Sequence, residues 1–95
     1  MADSTMLAML KTDLGISTST AYNTRLEQLL TVAQDAIIEE GASTLDASAP
    51  LDQQLIVMYA AWLWRRRDNM DGMPRSLRYQ LNRRIFAEKA VGGDG

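Results

Sequence analysis

The side chains of this 95-residue chain that could do chemistry are carboxylates and arginines, because it holds no histidine and no cysteine. Without cysteine there is no disulfide, thiolate nucleophile or thiolate metal site. Without histidine the commonest general base and transition-metal ligand are missing. Two acidic stretches remain as candidates. Asp68-Asn69-Met70-Asp71-Gly72 has the composition of a calcium loop. It lacks the alternating oxygen ligands and distant glutamate of an EF-hand, and reads as a helix-ending turn. Glu39 and Glu40 are adjacent, which on a helix points them about 100° apart and rules out a facing acid/base pair. There is no glycine-rich phosphate loop, serine triad or acidic cluster. The chain therefore reads as a non-enzyme with no cofactor and no metal.

The arginines suggest binding. Arg65, Arg66 and Arg67 are consecutive, and Arg75, Arg78, Arg83 and Arg84 follow; all are expected on or near one end of the domain. A groove-reading helix needs its basic residues on one exposed stripe. On a helix starting at Arg75 these four fall at about 0°, 300°, 80° and 180°, scattered around the axis. The isoelectric point near 4.9 is also unlike that of a DNA-binding domain. A small helical DNA-binding regulator is thus one alternative, and a cytoplasmic helical interaction module is another. Non-specific contact with DNA passing through a channel is compatible with the same arginines. The charge is uneven: residues 1–64 hold two basic against eight acidic residues, and residues 65–95 hold eight basic against four acidic. Such polarity suits contact between neighbouring copies or with a charged partner.

The elements that must position these residues are helical. Asp3 or Ser4 can cap a first short helix from Thr5 to about Asp13, with Met6, Leu7, Leu10 and Leu14 on its apolar side. Gly15 suits the left-handed residue that ends it. Ser19 or Thr20 can cap a second helix, Ala21 to Glu40. Its stripe of Tyr22, Leu26, Leu29, Leu30, Ala33, Ala36 and Ile37 spans about 100°. Ile38 points outward as a candidate subunit contact, and Gly41 closes the helix. Leu45 anchors the following loop. Ser48 before Ala49-Pro50 starts a third helix, and Asp52 suits its positive end. The unbroken apolar run Leu55–Trp64 makes this helix apolar all round, so neighbours must cover most sides. Leu51, Leu55, Met58, Tyr59 and Trp62 form its main stripe. Trp62 and Trp64 lie about 200° apart and cannot share one pocket, so one is expected in the core and the other as either a partly exposed residue or an interface anchor, the reading favoured for Trp64 beside the arginines. Pro74 opens a fourth helix to about Ala90, with Leu77, Leu81 and Ile85 as core and Tyr79 and Phe86 on another side, a hint of a second buried surface that makes them, with Arg75 and Arg78, candidate interface residues. The fold class expected is all-α: a small bundle of residues 1–90 with a flexible tail, 91–95.

Met1 to Lys11 lacks the basic start and apolar run of a signal peptide. The Leu55–Trp64 run falls short of the about 20 residues that span a bilayer. No membrane partner is expected, and the default is a soluble protein of the cytoplasm.

The order of features resembles a known family, the small head–tail connector or head-completion adaptor proteins of long-tailed phages and prophages. The likeness rests on MLAMLKTDLGI, then on LEQLLTVAQDAIIEEG with its spaced Leu29, Ala33 and Ile37. It closes on YAAWLWRRRDNMDGMPRSLRYQLNRRI, similar to the family's Tyr…Arg, proline and leucine-rich closing helix. Together these cover about residues 6–86. The resemblance implies a virion structural protein, assembled in the bacterial cytoplasm. It would form a ring of about a dozen copies under the portal, extend the DNA channel and dock stopper or tail-completion proteins. Glu88 to Gly95 is the segment implied to meet the portal. Charge asymmetry adds an expected contact: the acidic second helix of one copy facing the basic 65–84 region of the next, with Ile38 or Trp64 between.

Overall fold

A computed structural model describes residues 4–16, 18, 20–66 and 72–92. The protein is all-helical, with α1 (Ser4–Leu14), α2 (Asn23–Glu40), α3 (Pro50–Arg66) and α4 (Arg75–Gly92). Helix α3 packs on each of the other three, as an all-round apolar helix must. Leu55, Ile56, Val57, Tyr59, Ala60 and Ala61 are all buried along it. Leu26, Leu29, Leu30, Ala33 and Ile37 of α2 are buried, as are Met6 and Leu10 of α1 and Leu77 and Leu81 of α4. Ile85 and Trp62 are partly buried against the same core.

Two helix ends are set by glycine. At Gly15 (φ +76°) the N–H bonds to the Thr12 carbonyl, and that of Ile16 to Lys11. At Gly41 (φ +137°) the N–H bonds to the Ile38 carbonyl, and that of Ala42 to Ile37. Both are Schellman ends, in which a left-handed residue satisfies carbonyls that the helix leaves unpaired. The second is also tight, since a Cβ at Gly41 would stand 3.1 Å from Ile85 Cγ2.

Several boundaries differ from expectation. Helix α2 starts at Asn23, with Tyr22 at the cap and no capping side chain; the Thr20 carbonyl accepts the Asn23 N–H, so the polar connector turns once before the helix begins. Ser48 does not cap α3, because its N–H and hydroxyl both bond to Asp46 Oδ1. The Ala49 carbonyl takes the first helical N–H, from Gln53. Pro74 lies just outside α4, accepting from the Arg78 N–H. Helix α4 runs past Ala90 through Val91 and Gly92, two residues assigned above to the tail. Leu51, expected in the core stripe, is 80% exposed: it stands in the first turn of α3, at the rim of an open groove between α3 and α4. Tyr22 is 45% exposed for a related reason, since it precedes the helix whose stripe it was expected to join.

Candidate functional site: the surfaces of α2 and α4

The arginines do not gather at one end. Arg65 sits at the C-terminal end of α3, where it reaches the Asp13 carbonyl at 3.2 Å and the Asp13 carboxylate at 3.7 Å. Both side chains are more than half exposed, so this pair adds little stability. Arg84 instead grips the other end of α3. Its Nε donates to Asp52 Oδ1 at 2.8 Å and its Nη2 to Asp52 Oδ2 at 3.2 Å. Asp52 and Arg65 are 13 positions apart, or about 20 Å along the helix. Arg78 pairs with Glu40 at 3.4 Å. Arg66 lies 5.0 Å from the Trp62 ring centroid, a cation–π distance. Arg67, with Asp68 to Asp71 of the calcium-like turn, lies outside the described residues.

The Arg84 contact belongs to a polar clasp that holds α4 on the bundle. Among the described residues Asp52 is the one charged side chain that is buried. Besides Arg84 it accepts the Asp46 N–H at 2.9 Å, so its charge is both paired and hydrogen-bonded, as burial demands. Arg84 also donates to Glu88 and to the Thr44 hydroxyl. Glu88 in turn accepts the backbone N–H groups of Ser43 and Thr44, at 3.0 and 2.9 Å, and both hydroxyls. The hydrogen bonds from Ser43 and Thr44 hold the Glu88 carboxyl down at about 2. The bidentate bond to Asp52 raises the Arg84 guanidinium above its usual value, keeping it charged.

None of these clasp roles was expected from the sequence. Asp52 had a sufficient explanation as a first-turn carboxylate at the helix dipole. Arg84 and Glu88 form an i,i+4 pair visible on the helix, but their distant partners are not written in any local pattern.

Both tryptophans are partly buried against the core. Trp64 is not a free anchor: it is half-buried and meets Tyr22 edge-to-face, with centroids 5.3 Å apart. Trp62 meets Tyr59 the same way at 5.4 Å. Its indole N–H is buried with no hydrogen-bond partner among the described residues. The exposed apolar residues lie elsewhere. Ile38 and Val32 stand out from α2, and Tyr79 and Phe86 from α4, Phe86 being 74% exposed. A groove of about 510 Å³ separates α3 from α4, lined by Leu51, Leu55 and Met58 on one side and Gln80 and Ala87 on the other.

The structure also sorts the cations of α4. Arg78 and Arg84 are turned into ion pairs, whereas Arg75, Arg83 and Lys89 are exposed and make no ion pair among the described residues. Arg83 lies 5.9 Å from the Tyr79 ring centroid. On the helical wheel these three cations, Tyr79 and Phe86 share about 120° of arc. The one carboxylate of α4, Glu88, lies on the opposite side, in the clasp.

Among the described residues no helix is long and apolar enough to cross a membrane, and no three acidic side chains converge as metal ligands. Comparison with protein-family models, with curated proteins and with solved structures finds no match to this chain.

Proposed function

We propose that this chain is a virion structural protein: a ring-forming adaptor that docks on the portal of a long-tailed phage or prophage and links the DNA-filled head to stopper or tail proteins. The observation that carries the reading is the order of features over residues 6–86. A short leading helix, a long amphipathic helix, an aromatic helix closed by arginines, and a proline before a leucine-rich helix follow one another as in the connector proteins they resemble. An adaptor works by complementary surfaces rather than by a reacting group. The chain's outward features are of that kind: exposed apolar residues on α2 and α4, and acidic and basic halves of the sequence.

The charge contact expected between neighbours takes a narrower form here. Arg78 and Arg84 are already paired within the chain and Trp64 is covered by Tyr22, so neither can be the main attraction for a second copy. Of the described cations in the basic half of the chain, Arg66, Arg75, Arg83 and Lys89 make no ion pair among the described residues, and the last three share one face of α4. The test is co-sedimentation of the purified chain with the portal ring encoded beside it, followed by electron microscopy. Rings seated on the portal are the expected result. A chain that neither binds the portal nor forms rings ends the reading. A gene position away from portal, capsid and tail genes would count against it equally.

A further inference from the structure

The outer face of α2 is the counterpart of the outer face of α4. Glu27, Asp35 and Glu39 are exposed and make no ion pair among the described residues. They share about 120° of arc at about 100° per residue. Ile38 lies inside that arc and Val32 at its margin, both exposed. The single cation of α2, Arg25, lies beyond Val32. One face thus carries three carboxylates with two aliphatics, and the other carries three cations with two aromatics.

The two patterns also agree along the helix. From Glu27, Asp35 and Ile38 stand 8 and 11 positions on; from Arg75, Arg83 and Phe86 stand 8 and 11 positions on as well. Val32 and Tyr79 stand at 5 and 4, and Glu39 and Lys89 at 12 and 14. At about 1.5 Å per residue the mismatch never exceeds about 3 Å, within the reach of a lysine or glutamate side chain. The direction matters. Laid antiparallel with Glu27 against Lys89, Asp35 and Glu39 would each stand two positions from Arg83 and Arg75 and Ile38 would meet Tyr79, whereas the parallel register aligns two of the three charge pairs without offset and alone sets Ile38 against Phe86.

We infer that α2 of one copy docks parallel on α4 of the next, pairing Glu27, Asp35 and Glu39 with Arg75, Arg83 and Lys89 around a centre of Ile38 and Phe86. The inference rests on the self-assembly part of the reading above and names its interface. Because the two faces are different patches of one chain, the contact is head-to-tail: each copy leaves one face open for the next, and such contacts close into rings or run into filaments. A single helix-on-helix contact is small, at the low end of interface sizes below about 1,200 Å². Pairwise association is therefore weak, and closure, in which every copy makes two such contacts, supplies the stability.

The absence of cysteine makes a covalent test clean. The variants Ile38→Cys and Phe86→Cys are mixed in equal amounts at high concentration and oxidised. Random pairing would make the mixed disulfide equal to the two homodimers together. The interface is expected to raise the mixed product well above that level, and above a control pairing of Phe86→Cys with Ala8→Cys on α1. Adding Arg83→Glu to the Phe86→Cys chain should lose the excess, and adding Asp35→Arg to the Ile38→Cys chain should restore it. Random yields, or a charge swap that does not restore them, overturn the inference.

The double variant Ile38→Cys/Phe86→Cys should give a ladder beyond dimer; a stop at dimer means that two contacts close in a two-fold pair, and overturns the head-to-tail arrangement. If the α4 charge variants instead lose binding to duplex DNA, with cross-linking unchanged, the face serves nucleic acid and the inference fails. Portal-seated rings with random cross-links would remove this interface and leave the adaptor reading standing. Faithful cross-links with no portal binding would do the reverse.

Discussion

Helices α1–α3 and helix α4 are held by different physics. The first three interlock through a core of buried apolar side chains, from Met6 and Leu10 through Leu26 and Ile37 to Ile56 and Ala60. Among the described residues of α4 only Leu77 and Leu81 lie at that depth; Ile85 is partly buried beside them and Arg78 pairs with Glu40, and the rest of its hold is the clasp of Asp52, Arg84 and Glu88 on the 43–46 loop. Apolar packing tolerates small shifts, because it depends on area and shape. A clasp of paired charges is specific in register and costly to half-break. The difference teaches that the C-terminal helix is fixed in orientation more than in strength, which suits an element whose outer face must be presented to something else.

Breaking the apolar side should have the largest effect. Ile37→Ala, at a fully buried site on α2, is expected to cost about 3–4 kcal/mol. Urea denaturation should lose that stability in one transition that includes α4. Removing one clasp partner comes next: Asp52→Ala leaves Arg84 without its bidentate acceptor, and should cost about 2–3 kcal/mol, below the fully buried case because Arg84 is partly exposed. The double change Asp52→Leu/Arg84→Met should recover part of that loss, since neither member of the buried pair is then left as a stranded charge, while the Asp46 N–H still loses its acceptor. A double variant no better than the single would mean the clasp acts through shape alone. Hydrogen exchange should show the damage concentrated in α4.

The two glycine ends sharpen the same contrast. Gly41→Ala meets both a φ of +137° and Ile85 at 3.1 Å, and should cost about 2 kcal/mol. Gly15→Ala has φ +76° with nothing within 4 Å, and should cost about 1 kcal/mol. Equal thermal shifts would mean that the α4 contact at Gly41 gives way freely.

The smallest effect is a pH dependence. The Glu88 carboxyl is lowered from 4.5 to about 2. A depressed carboxyl adds stability that is fully present above its unfolded value and lost as pH falls through the folded one. Denaturant midpoints should therefore fall between about pH 4.5 and 2, and Glu88→Gln should flatten that slope. An unchanged slope would assign the acid sensitivity to other carboxylates, Asp46 among them, which its bonds from Ser48 also hold low.

The helices were legible because period is a local property. Leu26 through Ile37 declare a face at 3.6-residue spacing, Gly15 and Gly41 declare ends, and the run from Leu55 to Trp64 declares a helix that needs cover on all sides. Ile38 was legible as outward, since it breaks the α2 pattern. The sorting of the arginines was not. A wheel places Arg75, Arg78, Arg83 and Arg84 by angle alone, whereas Glu40 and Asp52 select two of them through the fold. The partner of Trp64 was not legible for the same reason: it is Tyr22, a residue outside the helix whose stripe it was expected to join.

The clasp also has a kinetic meaning. Arg84 finds Asp52 and Thr44 at 32 and 40 positions back along the chain, and Glu88 finds Thr44 and Ser43 at 44 and 45. Closing such loops costs chain entropy before any contact repays it, whereas α2 and α3 meet across the nine-residue loop 41–49. Helix α4 should dock late in folding and leave early in unfolding. In stopped-flow experiments Arg84→Met is expected to speed unfolding and leave the folding rate nearly unchanged, and an equal slowing of folding would place the clasp in the nucleus instead. A chain built this way completes the helix that carries its basic face only after the rest of the bundle has formed.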